Sequence, residues 1–429
     1  MKKLLAKVGL GRPELRAFAL YDWANSAFAT TIMAGFLPTY YFKVAAAPLE
    51  ENMRTSYWGF TAAIALAIIA VAAPFLGATA DFMRGKKAFL TGFMLTGVIG
   101  SMLLLFVEEG DWWYASAVFI VANIGFAGAN IFYDALLPHI AKADEIDQVS
   151  TSGYAIGYLG GGLLLLVNLA WFLKPELFGF ADAGVAIRAS FVSVGIWWLL
   201  FSIPLLRHVK EPEADANAQH ENVFTVGFTR VIKTCKHIMQ YKQALIFLIA
   251  FLLYSDGIGT IIKMATIFGA EIGIGTTHLI GALALVQFLG VPATFAYGFL
   301  AGRMGPKGGI YLGLGIYTVI CFLGYFMTAA WQFWCLAGLV AMAQGGTQAL
   351  SRSLFAVMIP KSKSAEFFSF MSISARFAGI AGPLLFGIVS AHYGGSRLSI
   401  LFLVAFFIGG AVLLKFVDVE EGRRAAESG

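Results

Sequence analysis

Twelve runs of apolar residues, each long enough to cross a bilayer, leave this chain little choice of fold. A helix rises 1.5 Å per residue, so about 20 residues cross a hydrocarbon core roughly 30 Å thick. Runs of that kind cover residues 17–42, 56–82, 88–107, 113–137, 149–173 and 186–206. A second set covers 243–269, 278–302, 309–328, 332–358, 365–390 and 397–417. Hydrocarbon offers backbone amides no partner, so each run closes its own hydrogen bonds as a helix. Only 13% of the 429 residues are charged and 59% are hydrophobic, whereas a soluble domain carries about 25% charge. The expected fold class is an all-α integral membrane protein, with twelve transmembrane helices in two six-helix, pseudo-symmetric bundles.

An even number of spans puts both termini on one side. Of the 30 Lys and Arg residues, 22 fall in that side's loops and tails, 5 on the other side, and 3 within spans. Positive loops stay cytoplasmic, so both termini are expected there. The basic excess sits in loops at the bilayer surface, which argues against nucleic acid as a partner. The one long break leads to an expected organisation of bundle 1–206, linker 207–242 and bundle 243–429. Within the linker Phe224, Phe228, Val231, Cys235 and Ile238 recur at helical spacing, as in an amphipathic helix lying on the membrane face. The N-terminal stretch before Arg12 has no apolar core and does not read as a cleaved signal.

The halves echo one another. Span 2 ends in Gly77-Ala78-Thr79-Ala80-Asp81-Phe82-Met83-Arg84-Gly85-Lys86-Lys87, and span 8 in Gly298-Phe299-Leu300-Ala301-Gly302-Arg303-Met304-Gly305-Pro306-Lys307, an offset of 221. Leu137-Pro138 and Ile359-Pro360 match at an offset of 222. Parallel repeats give this pattern. The first copy resembles the loop signature between helices two and three of the major facilitator superfamily. That resemblance implies a cytoplasmic gate of Gly77, Asp81, Arg84, Gly85 and Lys86. In the second copy Gly302 replaces the Asp.

Charge inside hydrocarbon is the next constraint. Asp22, Asp134, Asp256, Lys263, Arg352 and Arg376 lie within spans, and each costs about 2.5–3.5 kcal/mol if central and unpaired. They must pair or meet water. Five of the six fall on spans 1, 4, 7 and 10, the first of each helix triplet; spans 3, 6, 9 and 12 have no charge in their middle. That division predicts cavity-lining first helices and lipid-facing third helices. Asp256 and Lys263 lie about 10 Å apart along one helix, too far to pair, so a partner on another helix is expected for each. Substrate-binding candidates are Asn25, Asp256, Lys263, Gln348 and Arg352; proton-coupling candidates are Asp22 and Asp134. Structural helix-to-helix pairing is the alternative for all these charges. Gly157, Gly160, Gly161 and Gly162 suit close helix approach, and Gly379, Gly382 and Pro383 a bend in span 11.

Other function classes find little support. Cys235, Cys321 and Cys335 have no metal or redox spacing. There is no HExxH or GxSxG motif and no mid-span histidine, so an enzyme is not expected, nor a cofactor or metal. Filter loops and charge rings of a channel are not evident.

Four segments carry a resemblance across the whole chain. Tyr21-Asp22-Trp23-Ala24-Asn25-Ser26-Ala27-Phe28-Ala29-Thr30-Thr31 looks like the opening signature of the vacuole-effluxer-like branch of the major facilitator superfamily. Gly153 to Gly162, Leu253-Tyr254-Ser255-Asp256-Gly257 and Gln344 to Ser353 are similar to the same branch. Ser255 stands where that branch more usually has Asn. The resemblance implies a rocking two-bundle carrier with one central cavity, and it suggests amino-acid export. A monomer in a bacterial inner membrane is expected, moving a small polar solute, with protons as the candidate coupling ion. Alternatives are a carrier of sugar, peptide or drug, and, in another class, a channel or membrane-embedded receptor.

Overall fold

The computed structural model describes residues 10–82, 86–134, 136–141, 146–210, 236, 238–360 and 364–428. The described residues are helical almost throughout. The first span is helix α1 (Pro13–Ala27), a wide π segment (Phe28–Gly35), α2 (Phe36–Tyr40) and a second π segment (Tyr41–Ala45). It starts with Pro13 at the first turn, where a missing N–H costs nothing. Then come α3 (Glu51–Phe82), α4 (Lys86–Leu103), α5 (Trp112–Asp134), the short α6 (Leu137–Ile140), α7 (Ile146–Leu173) and α8 (Ala183–His208). The second half holds α9 (Lys242–Glu271), α10 (Thr276–Tyr325), α11 (Ala330–Val357), α12 (Ser364–Ala378) and α13 (Ala381–Tyr393). It closes with α14 (Arg397–Phe402), α15 (Val404–Lys415) and α16 (Val419–Ser428). Gly305 takes φ 75°, left-handed and glycine's own region, and divides α10 at the expected boundary between two apolar runs.

Among the described residues, ten helices are long and apolar enough to cross a membrane. Contacts group the chain into two units: Met1–Leu49 with Val71–Gly227, and Glu50–Ala70 with Phe228–Gly429. The first twenty residues of α3 thus pack with the second half of the chain, although their sequence belongs to the first. Most of the expected linker helix lies outside the described residues, as do Arg84 and Gly85 of the gate motif. Gly77 and Asp81 fall in the last turns of α3, and their side chains are outside the described set.

Glycine sets the closeness of packing in the first unit. A Cβ placed on Gly125 of α5 would lie 2.3 Å from the Gly97 nitrogen of α4, and one on Gly97 would lie 2.4 Å from the fully buried Trp198 of α8. Lipid tails are as apolar as leucine, so such close contact is what holds helices together in a membrane. Large apolar side chains point outward instead: Leu95 and Ile99 on α4, Ile196 and Leu200 on α8, Ile408 and Val412 on α15 are exposed. Those helices contain spans 3, 6 and 12, expected to face lipid.

The loop motifs also show why their lysines are there. Lys87 Nζ donates to the Val209 carbonyl at the end of α8 (2.7 Å), and Lys307 Nζ to the Val417 carbonyl just past α15 (2.7 Å). Each cation satisfies terminal carbonyls at the negative end of a helix. The receiving segments are Leu205-Leu206-Arg207-His208-Val209 and Leu413-Leu414-Lys415-Phe416-Val417, a further repeat that a search for Leu-Leu-x-x-Val would have found. Gly125→Val is expected to lower stability by about 2 kcal/mol, read as thermal unfolding in detergent. Ile99→Ala, on the outward face, should change it by less than about 0.5 kcal/mol.

Candidate functional site

In the first unit the opening signature is a packing and polar motif together. Its turns lie on the glycines of α7: a Cβ on Gly157 would sit 2.7 Å from Ser26 Oγ, and one on Gly160 2.6 Å from Trp23. Thr30 Oγ1 donates to the Gly161 carbonyl at 3.2 Å. Two signature segments, 21–31 and 153–162, are therefore the two sides of one helix contact. The polar members reach α5 instead. Asn25 Nδ2 donates to Asn130 Oδ1 at 2.6 Å, and Tyr133 Oη approaches Asp22 Oδ2 at 2.8 Å and the Phe18 carbonyl at 3.0 Å. Phe18 stacks on Tyr133 with ring centroids 4.0 Å apart. Asn130 belongs to the polar stripe Asn123, Asn130 and Asp134 that the sequence places on one face of span 4, whereas Tyr133 was not singled out. Asp134, at the end of α5, is exposed.

In the second unit α9 presents distinct faces. Asp256 is buried and points at the break in span 11, between α12 and α13. Its Oδ2 accepts the Gly382 backbone N–H at 2.8 Å, and Thr260 Oγ1 lies 3.5 Å from Oδ1. The carboxylate thus caps the first turn of α13 from a neighbouring helix, where orphan amides favour negative charge. No side chain fits at Gly382, since a Cβ there would be 1.8 Å from Thr260 Oγ1. Tyr254 Oη pairs with Ser351 Oγ of α11 at 2.6 Å, joining the signature segments 253–257 and 344–353.

Lys263 differs from Asp256. It is half-buried and, among the described residues, makes no hydrogen bond or ion pair; its electrostatic neighbour is Asp256 on the same helix. The expected interhelical partner is therefore found for Asp256 and not for Lys263. Gln348 and Arg352 are exposed on α11, and Arg376 is half-exposed near the end of α12. Lys86, of the gate motif, is buried with its Nζ 2.9 Å from His139 Nε2.

A residue the sequence reading passed over closes the other end of α9. Glu271 is the last residue of that helix, where the dipole disfavours an anion. It is compensated by donors: Thr55 Oγ1 of α3 at 2.5 Å, the Ser396 N–H at 2.8 Å, and the Ser396 hydroxyl. Beside it Gly59 and Gly387 bring α3 against α13, a Gly59 Cβ falling 2.9 Å from the Pro383 carbonyl. An acidic residue at the C-terminal end of a long apolar helix was the available signal.

Asp256→Ala strands the Gly382 amide and is expected to lose about 1–3 kcal/mol, whereas Asp256→Asn keeps an acceptor and should lose less. Thermal unfolding of both variants checks the order; equal losses would contradict the cap.

Residues 47–427 match the family described as vacuole effluxer Atg22 like. The MFS-type transporter YxiO of Bacillus subtilis is 37% identical over 94% of this chain and 94% of its own length. Autophagy-related protein 22 of Saccharomyces cerevisiae is 26% identical over 80% of this chain and 74% of the relative. Among solved structures, a bacterial homologue of the human lysosomal transporter Spinster superposes with TM-score 0.67 at 15% identity, covering 95% of this chain and 97% of that one. The D-xylose–proton symporter gives TM-score 0.67 at 15% identity, covering 95% and 98%. The chain is a multi-pass membrane transporter and belongs to the Atg22-like vacuole effluxer family of the major facilitator superfamily.

Proposed function

We propose that this transporter is a secondary active carrier moving a small polar solute by alternating access, with amino acids the first class to test. The observation that carries the polar-solute reading is the set of polar groups in apolar helices: the Asn25–Asn130 pair and Lys263, whose ammonium makes no hydrogen bond with a described residue. A carrier of purely apolar cargo has no use for an ammonium whose insertion costs about 2.5–3.5 kcal/mol. Lys263, Gln348 and Arg352 are the candidate solute groups of the second unit, and Asn25 is that of the first. Asp256 acts from behind, holding the two pieces of span 11 in register. The relatives named as effluxers favour export, and the 22 to 5 bias of basic residues supports cytoplasmic termini in a bacterial inner membrane.

Twelve spans are part of this reading. The segments outside the ten are the first, whose π turns interrupt a helical run from Pro13 to Ala45, and α11, 28 residues long and made less apolar by Gln344, Gln348 and Arg352. Both have the length to cross. Two bundles divided near 207–242 and a functional monomer complete the proposed architecture.

For the coupling proton Asp22 and Asp134 remain the candidates. A gradient of one pH unit supplies about 1.4 kcal/mol per proton. The Glu271 cluster is assigned the outer closure, since release of the first turns of α3 from α9 and α13 requires its hydrogen bonds to break.

Reconstituted protein is expected to show saturable counterflow, where a channel would show gradient-driven conductance without it. If Asp22→Asn and Asp134→Asn each leave a pH-driven uptake intact, the coupling assignment is wrong. The closure is read separately. Ser56→Cys, buried on α3, should react with a membrane-impermeant maleimide about tenfold faster when Glu271 is replaced by Gln in a background lacking the native cysteines, because hydrogen bonds to a charged group contribute about 1.5–3 kcal/mol.

A further inference from the structure

The face of α9 that carries Lys263 is open. Ser255, Gly259 and Lys263 follow one another at four-residue spacing, so they form one strip along the helix, and all three are half-exposed. Among the described residues, the only atom outside the helix backbone that a Cβ on Gly259 would meet within 4 Å is Lys263 Nζ, at 3.8 Å. Other glycines of this helix are packed shut: a Cβ on Gly257 meets the Phe407 ring at 2.9 Å, and one on Gly269 meets Leu279 at 2.4 Å. The Lys263 side chain therefore lies back along the helix over Gly259, with free space beside its ammonium. Ser255 makes no side-chain hydrogen bond with a described residue either, so a hydroxyl stands at the other end of the strip.

Asp256 and Thr260 lie one residue further round and are buried. The Asp256 carboxylate is engaged by Gly382 and flanked by Thr260, so it is not presented along the open strip. The helix has an acid held as a structural cap, within electrostatic reach of Lys263, and a base on the strip whose ammonium makes no hydrogen bond with a described residue. A site built this way favours a negative group, because the Asp256 carboxylate is already engaged by the Gly382 amide and the Lys263 charge. Glycine under the ammonium lets a bulky oxyanion approach the helix backbone.

Resting on the carrier reading, we infer that the solute binds through an anionic group, a carboxylate or an oxyanion of like charge, held by Lys263 over Gly259 with Ser255 as a further donor. Zwitterions such as amino acids satisfy this through their carboxylate. Their amines are not recognised by Asp256. Simple amines, and solutes whose only charge is positive, are excluded from this site.

The test is ligand-induced thermal stabilisation of the purified full-length protein, which reports binding without transport. The probes are L-leucine, L-glutamate, succinate, lactate and glucose 6-phosphate, set against leucinamide, putrescine, glucose and uridine. The expected result is stabilisation by at least one anion-bearing probe and by neither leucinamide nor putrescine. Lys263→Met, close in length and uncharged, should weaken that probe at least tenfold, and Lys263→Arg by only a few-fold. Gly259→Val should weaken it at least tenfold with Lys263 still present, which a merely structural lysine would not cause. Stabilisation confined to cations or neutral probes overturns the inference. So does an unchanged affinity in Lys263→Met, or no stabilisation by any of the anions. Counterflow of the same probe in proteoliposomes separates the two readings. Binding through Lys263 without counterflow leaves the anion site standing and removes the carrier. Counterflow of a cationic or neutral probe alone does the reverse.

Discussion

A polar group inside a bilayer has to find its partner within the chain or in water led in by the chain, and that requirement orders this molecule. It places Tyr133 beside Asp22 and pairs Asn25 with Asn130, tying the first span to α5. It turns Asp256 toward the one backbone amide exposed by the break in span 11. It surrounds Glu271, an anion at the unfavourable end of a helix, with the donors of Thr55 and Ser396. At Lys263 it is met only by the charge of Asp256 on the same helix, without a hydrogen bond to a described residue.

Close approach of backbones is the second ordering element, and it depends on the first. The hydrogen bonds just named are short-range, and helices carrying large side chains at the contact would hold them out of reach. Gly157 and Gly160 admit Ser26 and Trp23 of the first span, and Gly382 admits Thr260 and Asp256. The signature segments of the chain therefore describe contacts more than they describe a ligand. Segment 21–31 lies on 153–162, and 253–257 is joined to 344–353 through Tyr254 and Ser351.

Much of this was legible in the sequence because hydrocarbon is an undiscriminating solvent. Apolar length located most of the helices, including the division of α10 at Gly305, and Gly379, Gly382 and Pro383 marked the break of span 11. Intramembrane charge located Asp22, Asp256 and Lys263. What was not legible were the roles, since periodicity tells which face a residue occupies and not what stands opposite. Asp256, for which the sequence left solute binding and structural pairing both open, accepts the Gly382 amide at the start of α13. Tyr133 was hidden because its polarity is ordinary, and Glu271 because it falls where a span ends and a loop begins. The grouping of residues 50–70 with the second unit follows from packing at Gly59 and Thr55 that no single-helix pattern encodes.

The central claim is that α9 turns an acid inward and a base toward water. Scanning α9 with single cysteines in a cysteine-free protein, and labelling with a small charged thiol reagent in membranes, tests it most directly. The account predicts reaction at positions 255, 259 and 263 and protection at 256, 257 and 260. Protection of the whole helix, or reaction at 256 and 260 in place of 259 and 263, would contradict it.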